Sequence, residues 1–331
     1  MGNSTQSNLF FNFWSVIKST DFFLYIAIGG RGIGKTYSVL KGLIEENETF
    51  IYVRRTDKEL ETSCNEYLNP FEKLNQDLGV NYHLKALKDT FLIMNDEEVM
   101  GSAGALSTFG KYRGADFSNI NYIVFDEFIS TSPIDHLKKH EGDLFFNMIE
   151  TVQRNRELVG GKSVKIICLA NSNKLDSGIL RHLKLAEIIR NMKVNKIDKY
   201  VDFERGLYLA LPDNLPISKE KKKTKLYRLT KGCDYYDMAI NNDFVGENFK
   251  DVKKLKQNQL YPIVTFKNMT FYQIKGQSIL YVNTRKQKCP TYNENTKKAF
   301  MREYYMYIKL FIDGGKIIYE NYDIKLDVLS L

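Results

Sequence analysis

The octapeptide Gly29-Gly-Arg-Gly-Ile-Gly-Lys-Thr36 follows directly on the apolar run Phe22-Phe-Leu-Tyr-Ile-Ala-Ile28. It fits G-x-x-x-x-G-K-[ST], and no other feature of the chain limits the fold as strongly. An unbroken apolar run without alternation is what a strand buried on both faces of a parallel sheet requires. The glycines then let the backbone curl until its amides converge, and the helix expected over residues 36–46 turns its positive end towards the same point. Strand, loop and helix in that order imply one unit of an α/β sheet. Gly29, Gly30, Arg31, Gly32, Ile33, Gly34, Lys35 and Thr36 are therefore the candidates for holding ATP, with Lys35 reaching the β- and γ-phosphates and the Thr36 hydroxyl ligating Mg2+. Arg31 either faces those phosphates or a neighbouring subunit, or is a plain surface arginine.

Such a loop needs an acidic partner, and Tyr122-Ile-Val-Phe-Asp-Glu127 supplies one at the end of a second apolar strand. Asp126 is expected to hold the Mg2+ water shell, and Glu127 to orient and deprotonate the attacking water. Adjacent Asp and Glu favour ATPases of the additional-strand, catalytic-glutamate class over GTPases. A third apolar run, residues 164–170, ends in Asn171, a candidate sensor of the γ-phosphate with a helix N-cap as its alternative. Arg154 and Arg156 close an amphipathic helix expected over residues 142–156, whose apolar face is Leu144, Phe145, Met148, Ile149 and Val152. They either reach a neighbour's nucleotide as an arginine finger or serve the macrodipole of their own helix. Arg54 and Arg55, after the strand expected over residues 49–53, face the phosphates or line a channel.

The alternation of strand and helix implies a parallel-sheet ATPase domain over residues 1–205. Clustered prolines and a lysine run mark residues 206–230 as a linker or lid, and residues 231–331 read as an α+β domain with strands over 260–266, 270–274 and 279–282 and an aromatic helix over 297–311. The net charge of +8 is unevenly placed: residues 1–218 hold 26 basic and 28 acidic residues, and the remainder 22 and 12. That asymmetry points to a polyanion. Lys221, Lys222, Lys223 and Lys225 are the nucleic-acid-binding candidates, a solvated linker being the alternative, and further lysines follow over 250–256. No apolar run approaches the roughly 18 residues of a bilayer span, no secretory pattern is expected, and no membrane partner is implied. Cys64, Cys168, Cys233 and Cys289 are too scattered for a zinc ribbon or a disulfide framework. His136 and His140 have ligand-like spacing but no cysteine pair beside them, and read as solvated.

Together with Phe50-Ile-Tyr-Val-Arg-Arg55, Ile123-Val-Phe-Asp-Glu-Phe128, Thr151-Val-Gln-Arg-Asn-Arg-Glu157 and Ile167-Cys-Leu-Ala-Asn171, in that register, the phosphate loop makes the chain resemble the genome-packaging ATPases of small tailed phages whose DNA is replicated by protein priming, the Salasmaviridae-type podophages. These are relatives of the large terminases and of the FtsK/HerA translocases. The resemblance covers most of the first two hundred residues. It implies a homo-oligomeric, pentameric ring that works in the host cytoplasm and docks transiently on the portal (connector) vertex of a procapsid. There it drives double-stranded DNA inward by ATP hydrolysis, with a structured packaging RNA as a further partner. It implies that Arg154 acts in trans, and that Lys111 or Arg113 in Phe109-Gly-Lys-Tyr-Arg-Gly114 touches DNA in the channel, where a surface loop without function is the alternative. For the C-terminal part it implies a ribonuclease H-like domain. Two-metal hydrolysis needs clustered carboxylates to hold ions about 3.5 to 4 Å apart, and the expected opening strand, residues 260–266, has none. A vestigial, nucleic-acid-binding nuclease is therefore expected. The competing readings are a terminase-type ATPase with an active nuclease and an ATP-gated RNA-binding or scaffold module.

Overall fold

The structure, a computed structural model, describes residues 9–88, 90–130, 140–172, 174–244 and 249–331. His136 of the histidine pair lies outside the described residues. The chain divides into two compact units, residues 1–183 with 191–246, and residues 184–190 with 247–331.

The first unit is built on a nine-stranded sheet of β1 (Leu24–Gly29), β2 (Phe50–Arg54), β3 (Tyr82–Ala86), β4 (Phe91–Asn95), β5 (Glu98–Ala105), β6 (Tyr122–Asp126), β7 (Lys165–Asn171), β8 (Lys199–Asp202) and β9 (Leu207–Ala210). Their order is β3-β4-β5-β2-β6-β7-β1-β9-β8. The strands from β5 to β9 in that order run parallel, while β3, β4 and β8 add antiparallel margins. All of β1 and β6 is buried, as strands covered on both faces by helices must be. The expected parallel α/β sheet is present, and β7 lies between the phosphate-loop strand β1 and the acidic strand β6.

Three departures from the sequence expectations have physical causes. The antiparallel strands β3 to β5 went unread because His83 and Lys85 interrupt one run and Gly101 and Gly104 another. The helix expected to reach residue 156 stops at Gln153, where Arg154 turns to φ +46°, ψ −137°. Residues 206–230 are no linker: β9 pairs with β1 inside the sheet, and the helices Pro216–Lys221 and Lys225–Leu229 group with the first unit, as does the helix Asp234–Ile240. The change of unit falls at residues 246/247, so part of the basic excess belongs to the first unit.

The second unit carries β10 (Leu260–Phe266), β11 (Met269–Ile274), β12 (Leu280–Asn283), β13 (Thr291–Tyr292) and β14 (Ile317–Tyr319) in the order β13-β10-β11-β12-β14. The first three form an antiparallel meander, flanked by parallel pairings of β13 with β10 and β14 with β12. Phe300, from the helical stretch that follows, stacks on Phe266 with centroids 4.4 Å apart. That stretch is interrupted by a π-helical segment, Met301–Tyr305, before the helix Met306–Asp313.

Candidate nucleotide site

The phosphate loop leaves β1 and enters the helix Lys35–Glu45 through Gly34 at φ +101°, a conformation that glycine alone takes without strain. Lys35 is 6% exposed, and its Nζ donates to the carbonyls of Gly29 (3.1 Å) and Gly30 (2.9 Å) and to Asn171 Oδ1 (3.1 Å). Burial holds the Lys35 ammonium down to about 8, with Asp126 opposing the shift. An ammonium paired mainly with neutral carbonyls is ready to exchange them for phosphate oxygens.

β6 delivers Asp126 to the same place. Thr36 Oγ1 donates to Asp126 Oδ1 at 2.9 Å, and Tyr52 from β2 donates its hydroxyl to Asp126 Oδ2 at 3.1 Å. Burial raises the Asp126 carboxyl, partly countered by Arg54. A hydroxyl and a carboxylate brought together in this way are hard oxygen donors of the kind Mg2+ takes alongside substrate phosphates and water. Among the described residues no group of three or more His, Cys, Asp or Glu is placed to hold a metal ion.

Glu127 sits one residue beyond, at φ +52°, with its amide on Asp126 Oδ1 at 3.1 Å. Arg54 Nη2 donates to Glu127 Oε2 at 2.7 Å, and Arg54 Nη1 lies 3.8 Å from Asp126 Oδ2. Arg54, expected to face the phosphates or line a channel, is instead placed on the acidic pair. Arg55 points the other way: it is buried against the Phe128 carbonyl (2.6 Å) and Glu141, and faces neither phosphates nor a channel. Asn171 is no helix cap; it ends β7 on Lys35.

The two candidate finger arginines have different surroundings. Arg156 is half-buried and donates to the carbonyls of Phe117 and Ile120. Arg154 is exposed and donates to the carbonyls of Arg113 (3.2 Å) and Ala115. Its positive φ is a strained state for a non-glycine residue. Arg154 therefore rests on the very loop that carries the candidate DNA contacts. Within that loop Arg113 and Lys111 are both exposed, and Lys111 lies 3.6 Å from Asp57 and over the Tyr112 ring.

Lys222, Lys223 and Lys225 are exposed, with Lys223 paired to Glu220 at 2.7 Å. Lys221 stands apart from them: its Nζ donates to the Arg31 carbonyl, inside the phosphate loop. Spacing along the lysine run could not separate it from its neighbours. The helix Asp234–Ile240 also covers the loop, since a Cβ on Gly30 would lie 2.7 Å from the Ala239 carbonyl, and Ser172 Oγ donates to the Met238 carbonyl at 3.3 Å. Sequence reasoning missed this cover, whose signal is a glycine where backbone meets backbone.

The family model described as Podovirus DNA encapsidation protein (Gp16) matches residues 5–311. The DNA packaging proteins of Bacillus phages PZA and phi29 are 29% and 28% identical over 286 residues, covering 84% of this chain and 80% of each relative. The solved bacteriophage Phi-29 viral genome packaging motor assembly contains a chain that is 25% identical, with a TM-score of 0.64 over 97% of this chain and 98% of that one.

Proposed function

The chain belongs to the podovirus DNA encapsidation protein (Gp16) family, and from that premise we propose that it hydrolyses ATP to move double-stranded DNA into a procapsid. Its role in DNA packaging is that of its family; the ATPase chemistry is read from the site. The observation that carries it is the convergence on one point of Lys35 and Thr36, at the helix start after β1, Asp126 and Glu127, at the end of β6, and Asn171, at the end of β7. The interposed β7 supports assignment to the additional-strand, catalytic-glutamate class. Lys35 and the loop amides would bind the β- and γ-phosphates, and Thr36 and Asp126 would hold Mg2+, which when bound neutralises phosphate charge. Glu127 would orient the attacking water and take its proton. In the present arrangement its carboxylate is engaged by Arg54, so hydrolysis requires that ion pair to loosen.

Arg154 is the better candidate for a finger acting on a neighbouring subunit. It is exposed and strained, and beside it Leu158 and Val159 are 84% and 81% exposed, as residues awaiting a partner surface are. A homo-oligomeric ring, with five subunits as the resemblance implies, places such an edge against the next nucleotide. The contact of Arg154 with the Arg113 carbonyl would then tie the finger to the loop proposed to touch DNA. Lys222, Lys223 and Lys225, with the second unit, whose residues 247–331 hold 15 basic and 8 acidic side chains, supply sequence-independent phosphate contacts for DNA or a structured RNA. The meander of β10 to β12 is compatible with a ribonuclease H-like origin, and the absence of carboxylates from β10 and β11 favours a nuclease that no longer cuts. The portal of a procapsid is the proposed docking point. ATPase rates with and without double-stranded DNA test the proposal: DNA-stimulated turnover that is lost in Glu127→Gln is expected, and full turnover in that variant would overturn it.

A further inference from the structure

We propose that Lys221, carried on the short helix Pro216–Lys221, is a phosphate ligand of the bound nucleotide, so that the helices over the loop form a lid that senses the polyphosphate. The inference rests on the ATP-binding reading of the loop. It begins with geometry: the Lys221 ammonium donates to the Arg31 carbonyl, at the middle of the loop, and lies 3.5 Å from the position a Cβ of Gly32 would take. The side chain reaches this point across the face of Tyr227, with its Nζ 5.0 Å from the ring centroid, and Tyr227 in turn stacks on Tyr235 at 6.3 Å and 12°. An aromatic face that holds a long cation in one direction reduces the freedom the ammonium has to lose on binding.

Charge carries the argument further. Arg31 and Lys35 belong to this loop, and Lys221 reaches it from the helix Pro216–Lys221. Burial is the first cause of the lowered Lys221 value, Tyr235 opposes it and Arg31 adds to it. Lys221 has no carboxylate partner among the described residues, whereas its neighbour Lys223 is satisfied by Glu220. A half-buried cation, placed among two others and matched by a single carbonyl, is an unfavourable arrangement until an anion enters. The anion that the loop amides are shaped to receive is a polyphosphate. A solvated lysine of the basic run would face outwards, as Lys222 and Lys225 do.

The helix itself is not free to drift. Ile217 N donates to the Leu9 carbonyl at 3.1 Å, alongside a segment whose Phe11 N donates to the Ile33 carbonyl of the loop at 2.9 Å. The lid, the segment 9–12 and the loop are thus one hydrogen-bonded neighbourhood, and a contact from Lys221 to phosphate would close it around the nucleotide.

The test is the affinity of the full-length protein for fluorescent N-methylanthraniloyl derivatives of ATP, ADP and AMP, in wild type, Lys221→Met, Lys221→Arg and Glu220→Gln. Loss of one charge-assisted contact should weaken ATP and ADP binding about tenfold or more in Lys221→Met. AMP binding should be unchanged, Lys221→Arg should restore most of the loss, and Glu220→Gln, a charge change on the same helix, should bind as wild type. Equal thermal melting of the variants excludes misfolding as the source of any difference. ATP affinity that is unchanged or increased in Lys221→Met, or AMP affinity that falls in parallel with ATP, would overturn the lid contact. Failure of the wild type to bind ATP, or undiminished binding in Lys35→Ala, would overturn the ATP-binding reading itself, and that result is distinct from the Lys221 comparison.

Discussion

Arg54 Nη2 meets Glu127 Oε2 at 2.7 Å, so the proposed general base is held by a cation from the adjacent parallel strand. Arg54 Nε is buried without a hydrogen-bond partner, and its nearest carboxylate oxygen, Glu59 Oε2, is 3.6 Å away. An incompletely satisfied guanidinium next to a phosphate site can transfer its Nη contacts from Glu127 to an incoming oxygen. Glu127→Gln should lower turnover about 10²- to 10⁴-fold with ATP binding retained. Arg54→Ala should also lower turnover, by about tenfold or more, since the incoming phosphate oxygen loses the guanidinium to which the Nη contacts would transfer. Steady-state ATPase assays beside nucleotide titrations separate the effects, and full turnover in Arg54→Ala would reduce Arg54 to a structural residue.

Arg154 and Arg156 should separate cleanly. Arg156 satisfies the carbonyls of Phe117 and Ile120, so Arg156→Ala should cost about 1 to 3 kcal/mol of stability, read as a lower denaturant midpoint. Arg154 is exposed, so Arg154→Ala should leave stability nearly unchanged and remove the finger, worth about 10³ to 10⁵ in rate where one operates. In mixtures with wild type, Arg154→Ala subunits should depress activity more than dilution does. A loss merely proportional to dilution would place Arg154 outside any neighbour's site.

The residues that the sequence already grouped, and that the fold brings to one place, are contiguous: glycines before Lys35 and an Asp-Glu pair after an apolar strand carry their own context. Side-chain direction is less accessible. Arg54 and Arg55 are adjacent in β2 or at its end, and the two-residue period of a strand sends them to opposite faces, one to Glu127 and one to Glu141. Without the register of β2 against β6, the pair reads as two equivalent cations. Lys221 was illegible for a related reason. Its partner Arg31 is 190 residues away, and nothing in a lysine run marks the one member that turns inwards. Arg154 and Arg156 look alike in spacing, and what separates them, exposure, backbone φ and which carbonyls of residues 113–120 they reach, lies in the fold.

Gly30 reports on the lid from the opposite side. Its added Cβ would lie 2.7 Å from the Ala239 carbonyl, a backbone atom that cannot swing away, whereas at Gly29 the nearest atom is the end of the Ile33 side chain. Gly30→Ala should therefore cost about 1 to 3 kcal/mol through overpacking, and Gly29→Ala less. Chemical denaturation of both variants checks the order. A Gly30→Ala variant as stable as wild type would mean that the helix Asp234–Ile240 is not seated on the loop.

The basic residues make a prediction about salt. Each lysine that neutralises a DNA phosphate adds about 0.9 to the slope of log affinity against log salt. Replacing the exposed Lys222 and Lys225 by Ala should lower that slope by up to about 2 without altering any preference for sequence. An unchanged slope would remove them from the DNA interface. The same preparations incubated with plasmid and Mg2+ or Mn2+ should leave it uncut, and nicking would restore the active-nuclease alternative.

The buried pair Arg55–Glu141 joins the two halves of the proposed catalytic apparatus. Arg55 Nη1 also donates to the Phe128 carbonyl, immediately after the Asp126-Glu127 pair, while Glu141 opens the helix Glu141–Gln153 that ends at Arg154. Glu141 Oε2 further accepts from Gly178 N at 2.8 Å. Removing Arg55 takes the paired cation away from the Glu141 carboxylate, which is 1% exposed, and costs about 3 to 5 kcal/mol, a large part of a domain's usual 5 to 15. Glu141→Gln keeps an acceptor for Gly178 and removes the charge, so its loss measures the ion pair rather than the cap. Arg55→Met tests the other side, and the double variant should be less destabilised than the two losses added, because the Glu141 charge is costly only while Arg55 is missing. Denaturant midpoints of the four proteins complete the cycle. Additive losses would mean that the two side chains are not paired. At temperatures where the single variants remain folded, turnover should still fall, because the Glu127 turn and the Arg154 helix are then no longer held in fixed relation.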